Sequence, residues 1–143
     1  MSKKIIITGG IGYIGTELCK IYSGISWNNE ILVIDNRFIS ERVNQLRNWG
    51  IDFIHGDILD KDLINKHLKD ADIVHHLAGV TDVPRVKSES SDDKNAKIEL
   101  VAEKGTQNIL DAIKDDCKII FPSTHVVYEG IEKIKNNILE EEL

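Results

Sequence analysis

Two prolines and two cysteines are all that this 143-residue chain contains. So little proline leaves no stretch that reads as a stiff linker, and neither Pro84 nor Pro122 marks a domain boundary. Cys19 and Cys117 stand far apart with no motif around them, which excludes a disulfide framework and predicts two buried, reduced thiols. A basic excess is missing too. With 24 acidic against 18 basic residues the net charge is −6, so a nucleic-acid partner, which needs a cationic face for its phosphates, is not expected. No apolar run is long enough to span a membrane. Behind Met1-Ser2-Lys3-Lys4 the apolar stretch Ile5-Ile6-Ile7 is too short for an export signal, and a cytoplasmic protein is expected.

What remains is the composition of an ordinary soluble domain, 41% hydrophobic and 29% charged. A chain of this length buries roughly two-thirds of its unfolded surface, enough for a core without staples. Short β-branched runs at residues 4–8, 30–35, 52–55, 73–77 and 118–122 alternate with segments of helical period at 13–23, 40–49, 60–69 and 92–114. The near-continuous apolarity of the strands predicts burial on both faces. Such alternation builds a parallel sheet from right-handed βαβ units. The expected fold is a single α/β domain, a Rossmann-like doubly wound parallel sheet with strand order 3-2-1-4-5. The stretch at 131–143, "IEKIKNNILEEEL", differs: Ile131, Ile134, Ile138 and Leu139 form an apolar stripe at helical spacing. The division expected is therefore a dinucleotide-binding domain at 1–130 and an amphipathic tail at 131–143, which either folds back or supports a homodimer.

Four of the ten glycines fall within "TGGIGYIG" at residues 8–15, directly after the first strand and at the start of the first helix. In that position Gly9 permits a tight turn, Gly12 lets backbone approach a diphosphate, and Gly15 lets the helix pack closely on the strand. The diphosphate would rest on the free N–H groups of the helix N-terminus. Three further features are placed to serve the same ligand. Asp35 ends the second strand twenty residues after Gly15, where its carboxylate can accept from both ribose hydroxyls of an adenosine and repel a 2′-phosphate. NAD is therefore expected ahead of NADP, a preference that Arg37 weakens. Asp57, after the third strand, can reach the adenine amino group, and small Ala78 and Gly79, after the fourth, let a nucleotide lie against backbone.

In family order, "TGGIGYIG", "DN" at Asp35-Asn36, "GDI" at Gly56-Asp57-Ile58, "HLAG" at 76–79, "GTQNIL" at 105–110 and "PSTHVVY" at 122–128 resemble the extended short-chain dehydrogenase/reductases. The likeness is to their NAD-dependent nucleotide-sugar epimerase/dehydratase group, and it covers the chain to about Tyr128. The resemblance implies that Gly9, Gly12, Tyr13, Ile14 and Gly15 line the diphosphate of NAD. It puts Asp35, with Asn36, at the adenosine ribose, Asp57 and Ile58 at adenine, and Leu77, Ala78 and Gly79 at the nicotinamide ribose. Thr124 matches the catalytic Ser/Thr of the family.

The departures concern catalysis. Ala102 stands where family members often carry Asn, and Tyr128-Glu129-Gly130 interrupts their V-Y-G. Their base is a Tyr whose pKa is lowered by a Lys four residues on. Here Tyr13, Tyr22 and Tyr128 are followed at that spacing by Glu17, Ser26 and Glu132. The 143 residues alone are thus expected to bind NAD(H) without turnover, a nucleotide sugar becoming a substrate only if another chain completes the site. The alternative is a non-catalytic NAD-binding or protein-interaction module. A metal site is not expected, since His75 and His76 are neighbours in a strand and point to opposite faces.

Overall fold

The computed structural model describes residues 2–25, 28–80 and 91–123. Five strands, β1 (Lys4–Thr8), β2 (Glu30–Asp35), β3 (Asp52–His55), β4 (Ile73–His76) and β5 (Lys118–Ile120), form one parallel sheet in the order β3-β2-β1-β4-β5. The expected Rossmann-like topology is the one found. Helices α1 (Tyr13–Gly24), α2 (Ser40–Asn48), α3 (Lys61–Leu68), α4 (Ser91–Leu100) and α5 (Thr106–Ala112) connect the strands, with a π-helical turn at Val101–Gly105 between the last two.

Side-chain alternation along β1 divides the core into two layers. Ile5 and Ile7 face one side with Val33, where Cys19 of α1 and Leu46 of α2 cover them. Ile6 faces the other with Leu32, Ile34 and Val74, under Ile64 and Leu68 of α3 and Ile109 of α5. Ile5, Ile6, Ile7 and Ile34 are fully buried, and each such side chain contributes about 1.5–3 kcal/mol relative to exposure. Burial on both faces holds for the inner strands but not for the edges. Asp52, His55, Lys118 and Ile120 are exposed, because nothing beyond β3 and β5 among the described residues covers them.

Two elements end more than one residue earlier than their periodicity predicts. β5 stops at Ile120, short of Pro122, whose missing N–H could not extend the ladder. The helical segment expected at 92–114 is divided by the π-helical turn, and Ile113 is already extended. Cys19 is buried as expected, and burial pushes its thiol pKa up to about 12. Cys117 is only half-buried, because it lies in the connection to the edge strand β5 rather than beneath a helix.

The glycine turn after β1 is set by backbone proximity. Gly9 has φ +70°, and a Cβ there would stand 2.7 Å from the Ala78 amide nitrogen. Gly15 is held as tightly, since its Cβ would stand 2.6 Å from Gly10 Cα. Replacing Gly9 with Ala adds left-handed strain to a clash with backbone, and is expected to destabilise the fold by about 2–5 kcal/mol. Gly24→Ala, where a Cβ meets nothing within 4 Å, should instead be neutral or stabilise by about 0.5 kcal/mol. Urea unfolding of the two variants checks the contrast; equal midpoints would contradict it.

Candidate functional site

The strand order reverses at β1, so the chain leaves β1 and β4 toward opposite faces of the sheet. The crevice that such a switch point opens at the carboxyl ends of the strands is where open α/β sheets take ligands. A cleft of about 820 Å³ lies there. It is lined by Gly9, Gly12, Tyr13, Ile14 and Gly15 from the turn into α1, and by Asp35 and Asn36 at the end of β2. Asp57 and Ile58 contribute from beyond β3, and Leu77, Ala78 and Gly79 from beyond β4. All twelve residues proposed from sequence for cofactor contact are thus brought together. Thr124 and the 131–143 segment lie outside the described residues.

The start of α1 has no side-chain cap. Gly12 occupies the N-cap position and the first turn holds no acidic residue. Its N–H groups and the positive end of the helix dipole therefore remain available to an anion. By contrast α3 is capped within the chain, Asp60 Oδ1 accepting from the Leu63 amide at 3.0 Å. Tyr13 is 83% exposed and Ile14 63%, a high exposure for apolar side chains that leaves them free to cover a ligand. At Gly79 an added Cβ would meet no atom within 4 Å. Packing among the described residues does not require glycine there, and Gly79 lines the cleft.

Acidic groups line the β2 and β3 side. Asp35 is buried and accepts from the Ile11 amide at 3.2 Å and the Arg37 amide at 3.0 Å. The Arg37 guanidinium also forks onto it, with Nε at 3.2 Å and Nη2 at 3.3 Å. Asp57 folds its own turn, Oδ1 accepting from the Leu59 amide at 2.9 Å, while Asn36 Nδ2 donates to Oδ2 at 3.0 Å. The Ile58 corner is held from behind. Asn108 donates to the Ile58 carbonyl at 3.0 Å, and Gly105 leaves room for the Ile58 side chain.

A buried polar chain supports the β4 side. The Thr8 hydroxyl pairs with His76 Nδ1 at 2.9 Å, and His76 Nε2 pairs with the Thr106 hydroxyl at 3.0 Å. Thr8 Oγ1 also accepts from the Ala78 amide at 3.3 Å. That arrangement is satisfied when the Thr8 O–H donates to Nδ1 and the Nε2–H donates to Thr106. His75 faces the opposite layer, as strand neighbours must, and pairs through Nε2 with the Tyr22 hydroxyl at 2.7 Å.

Sequence reasoning missed this second layer, and it missed Arg42, Lys97, Leu100, Val101 and Pro122 in the cleft wall. Thr8 and His76 carried a signal, as polar residues within apolar strands. Arg42 and Lys97 read as ordinary surface cations on helices. Among the described residues no group of three His, Cys, Asp or Glu is placed to hold a metal, and no helix is long and apolar enough to cross a membrane.

Topology, glycine turn and cleft define the class as a Rossmann-type α/β fold. A profile of the 3-beta hydroxysteroid dehydrogenase/isomerase family matches residues 6–142. The chain belongs to that family, within the extended short-chain dehydrogenase/reductases. It is similar to the CDP-paratose 2-epimerase of Salmonella typhi, 32% identical over 96% of this chain and 41% of that protein. The UDP-glucose 4-epimerase of Brucella ovis, solved in complex with NAD, superposes with a TM-score of 0.69 at 27% identity, covering 90% of this chain and 38% of that one. Epimerase Mth375 of Methanothermobacter thermautotrophicus shares the fold at a TM-score of 0.75 and 24% identity, over 99% of this chain and 40% of its own. The chain spans about two-fifths of the length of each of these relatives.

Burial holds the pKa of His76 below the usual histidine range, and burial followed by the charge of Lys118 does the same to His75. His67 shifts the same way, through burial and then Lys66. A lowered folded pKa means that the unfolded chain takes up the proton first as pH falls. The stability held by neutral imidazoles is present above about pH 6.5 and declines as pH drops through that value toward the folded pKa values. Thermal unfolding at about pH 7.5 and about pH 5, above the usual carboxylate range, should show a lower midpoint in acid. An unchanged midpoint would remove the imidazoles from this role.

Proposed function

We propose that this chain is the dinucleotide-binding part of a NAD-dependent nucleotide-sugar epimerase or dehydratase. The observation that carries the reading is the convergence, in one cleft, of an uncapped helix N-terminus, a buried carboxylate ending β2 and an edge of small residues beyond β4. Those residues fit NAD. The N–H groups at Tyr13 and Ile14, with Gly9, Gly12 and Gly15 shaping the turn, would hold the diphosphate. Asp35 and Asn36 would take the adenosine ribose, Asp57 and Ile58 the adenine, and Leu77, Ala78 and Gly79 the nicotinamide ribose. Nicotinamide supplies hydride acceptance and return in such chemistry. The relatives named above support the nucleotide-sugar class, two of them being epimerases of named nucleotide sugars.

Thr124 is the chain's own candidate for contact with a reacting hydroxyl. Pro122, two residues earlier, lines the cleft. No Tyr-x-x-x-Lys occurs in the 143 residues. In this reading the 143 residues bind and orient the cofactor, and a positioned acid/base, worth about 10²–10⁴-fold, is supplied from outside them. Residues 1–130 form the binding domain in this reading, with 131–143 as an amphipathic tail at a homodimer contact. The second reading, an NAD-binding or interaction module that does no chemistry, draws on Ala102, which stands where family members often carry Asn.

Calorimetric titration tests the binding step. NAD should bind more tightly than NADP, and Asp35→Ala should weaken NAD by roughly 10- to 100-fold, the worth of hydrogen bonds to a charged acceptor. Equal affinity in wild type and variant would reject the ribose assignment. A coupled assay with UDP-glucose should show no turnover by the 143 residues alone, and epimerisation that vanishes in Thr124→Ala would refute that expectation.

A further inference from the structure

The carboxylate of Asp35 has no free side. A carboxylate offers about four lone-pair sites. Oδ1 accepts from the Arg37 amide and from Arg37 Nε, and Oδ2 accepts from the Ile11 amide and from Arg37 Nη2. Every donor belongs to this chain. The two backbone donors are fixed by the turn and the strand end, whereas among the described residues the guanidinium pairs with nothing but Asp35. The Asp35 side chain is 3% exposed and that of Arg37 54%, so the arginine is the partner with room to leave. Its Nη2 lies 3.5 Å from where a Cβ on Gly12 would stand, which puts the fork between the acidic end of β2 and the glycine turn. Both of those surfaces line the cleft.

We propose that Arg37 competes for the ribose subsite and thereby sets its selectivity. The guanidinium must swing off Asp35 before a vicinal diol can take its place, whereas a 2′-phosphate can bind the guanidinium as its counter-ion. The proposal rests on the dinucleotide reading above. The exchange offsets only part of what the ribose bonds gain. Two charge-assisted bonds from an exposed, solvent-screened arginine are given up, and two neutral hydroxyl donors replace them on the same oxygens. The Ile11 and Arg37 amides keep the carboxylate in position throughout. The sign of the effect separates this role from that of an ordinary cation in a nucleotide site, because removal of the arginine helps the diol ligand.

Titration of NAD and NADP into the 143-residue chain, its Arg37→Met and Arg37→Lys variants and Asp35→Ala tests the proposal, with urea unfolding to establish that each is folded. Arg37→Met should bind NAD about three- to tenfold more tightly and NADP about tenfold more weakly. Arg37→Lys should fall between, since an ammonium cannot reproduce the fork. An NAD affinity that is unchanged or weaker in Arg37→Met, while Asp35→Ala still loses NAD, overturns the competition and leaves the cleft reading intact. Equal NAD affinity in wild type and Asp35→Ala overturns both.

Discussion

The close approach of two backbone segments, Gly9 against Ala78, is the constraint on which the rest of the site depends. The amide of Ala78 lies where the Cβ of any other residue at position 9 would stand. With the ends of β1 and β4 this close, the chain can depart from them only in opposite directions. α1 then covers one face of the sheet, and the β4 strand end feeds the other. The cleft is the space between those departures. Its two walls carry unlike chemistry because one is a helix N-terminus and the other a strand end.

Buried polar contacts keep that geometry in place. Thr8, His76 and Thr106 link the last residues of β1 and β4 to the first residue of α5, and the Ala78 amide joins the same chain of bonds. A buried polar network of this kind stabilises only when every member is satisfied, and among the described residues no buried side-chain polar atom lacks a partner. On the other wall, Asn108 and Gly105 hold the Ile58 corner from the same helical segment. The π-helical turn at Val101–Gly105 leads directly into these attachments, and Val101 lines the cleft. π-helical turns are often found at functional sites.

Much of this was legible in the amino-acid order. The bounds of β1, β2 and β3 follow directly from the β-branched runs at 4–8, 30–35 and 52–55, because strands in a parallel sheet are short, apolar and sharply punctuated. The twelve cleft residues were legible because each sits at or beyond a strand end, and topology brings strand ends together. The exposure of β3 and β5 was not legible, since periodicity does not say which strands are edges. Nor was the π-helical turn, which arises where Gly105 meets Ile58 and Thr106 meets His76, contacts between residues 30 or more positions apart. The saturation of Asp35 was hidden in the same way. The sequence puts Arg37 two positions on, but only geometry shows the guanidinium forked on the carboxylate.

The central claim is that the switch-point cleft takes a dinucleotide along its whole length. The most direct measurement is an amide NMR titration of the uniformly ¹⁵N-labelled chain with NAD. The account predicts that the largest shifts fall together on Gly12, Tyr13 and Ile14, on Asp57 and Ile58, and on Ala78 and Gly79. Lys4, Asp72 and Lys118, at the opposite end of the strands where Lys4 bonds Asp72 and Lys114 pairs with it, should stay still. Shifts confined to one wall, or centred on Asp72, would contradict it.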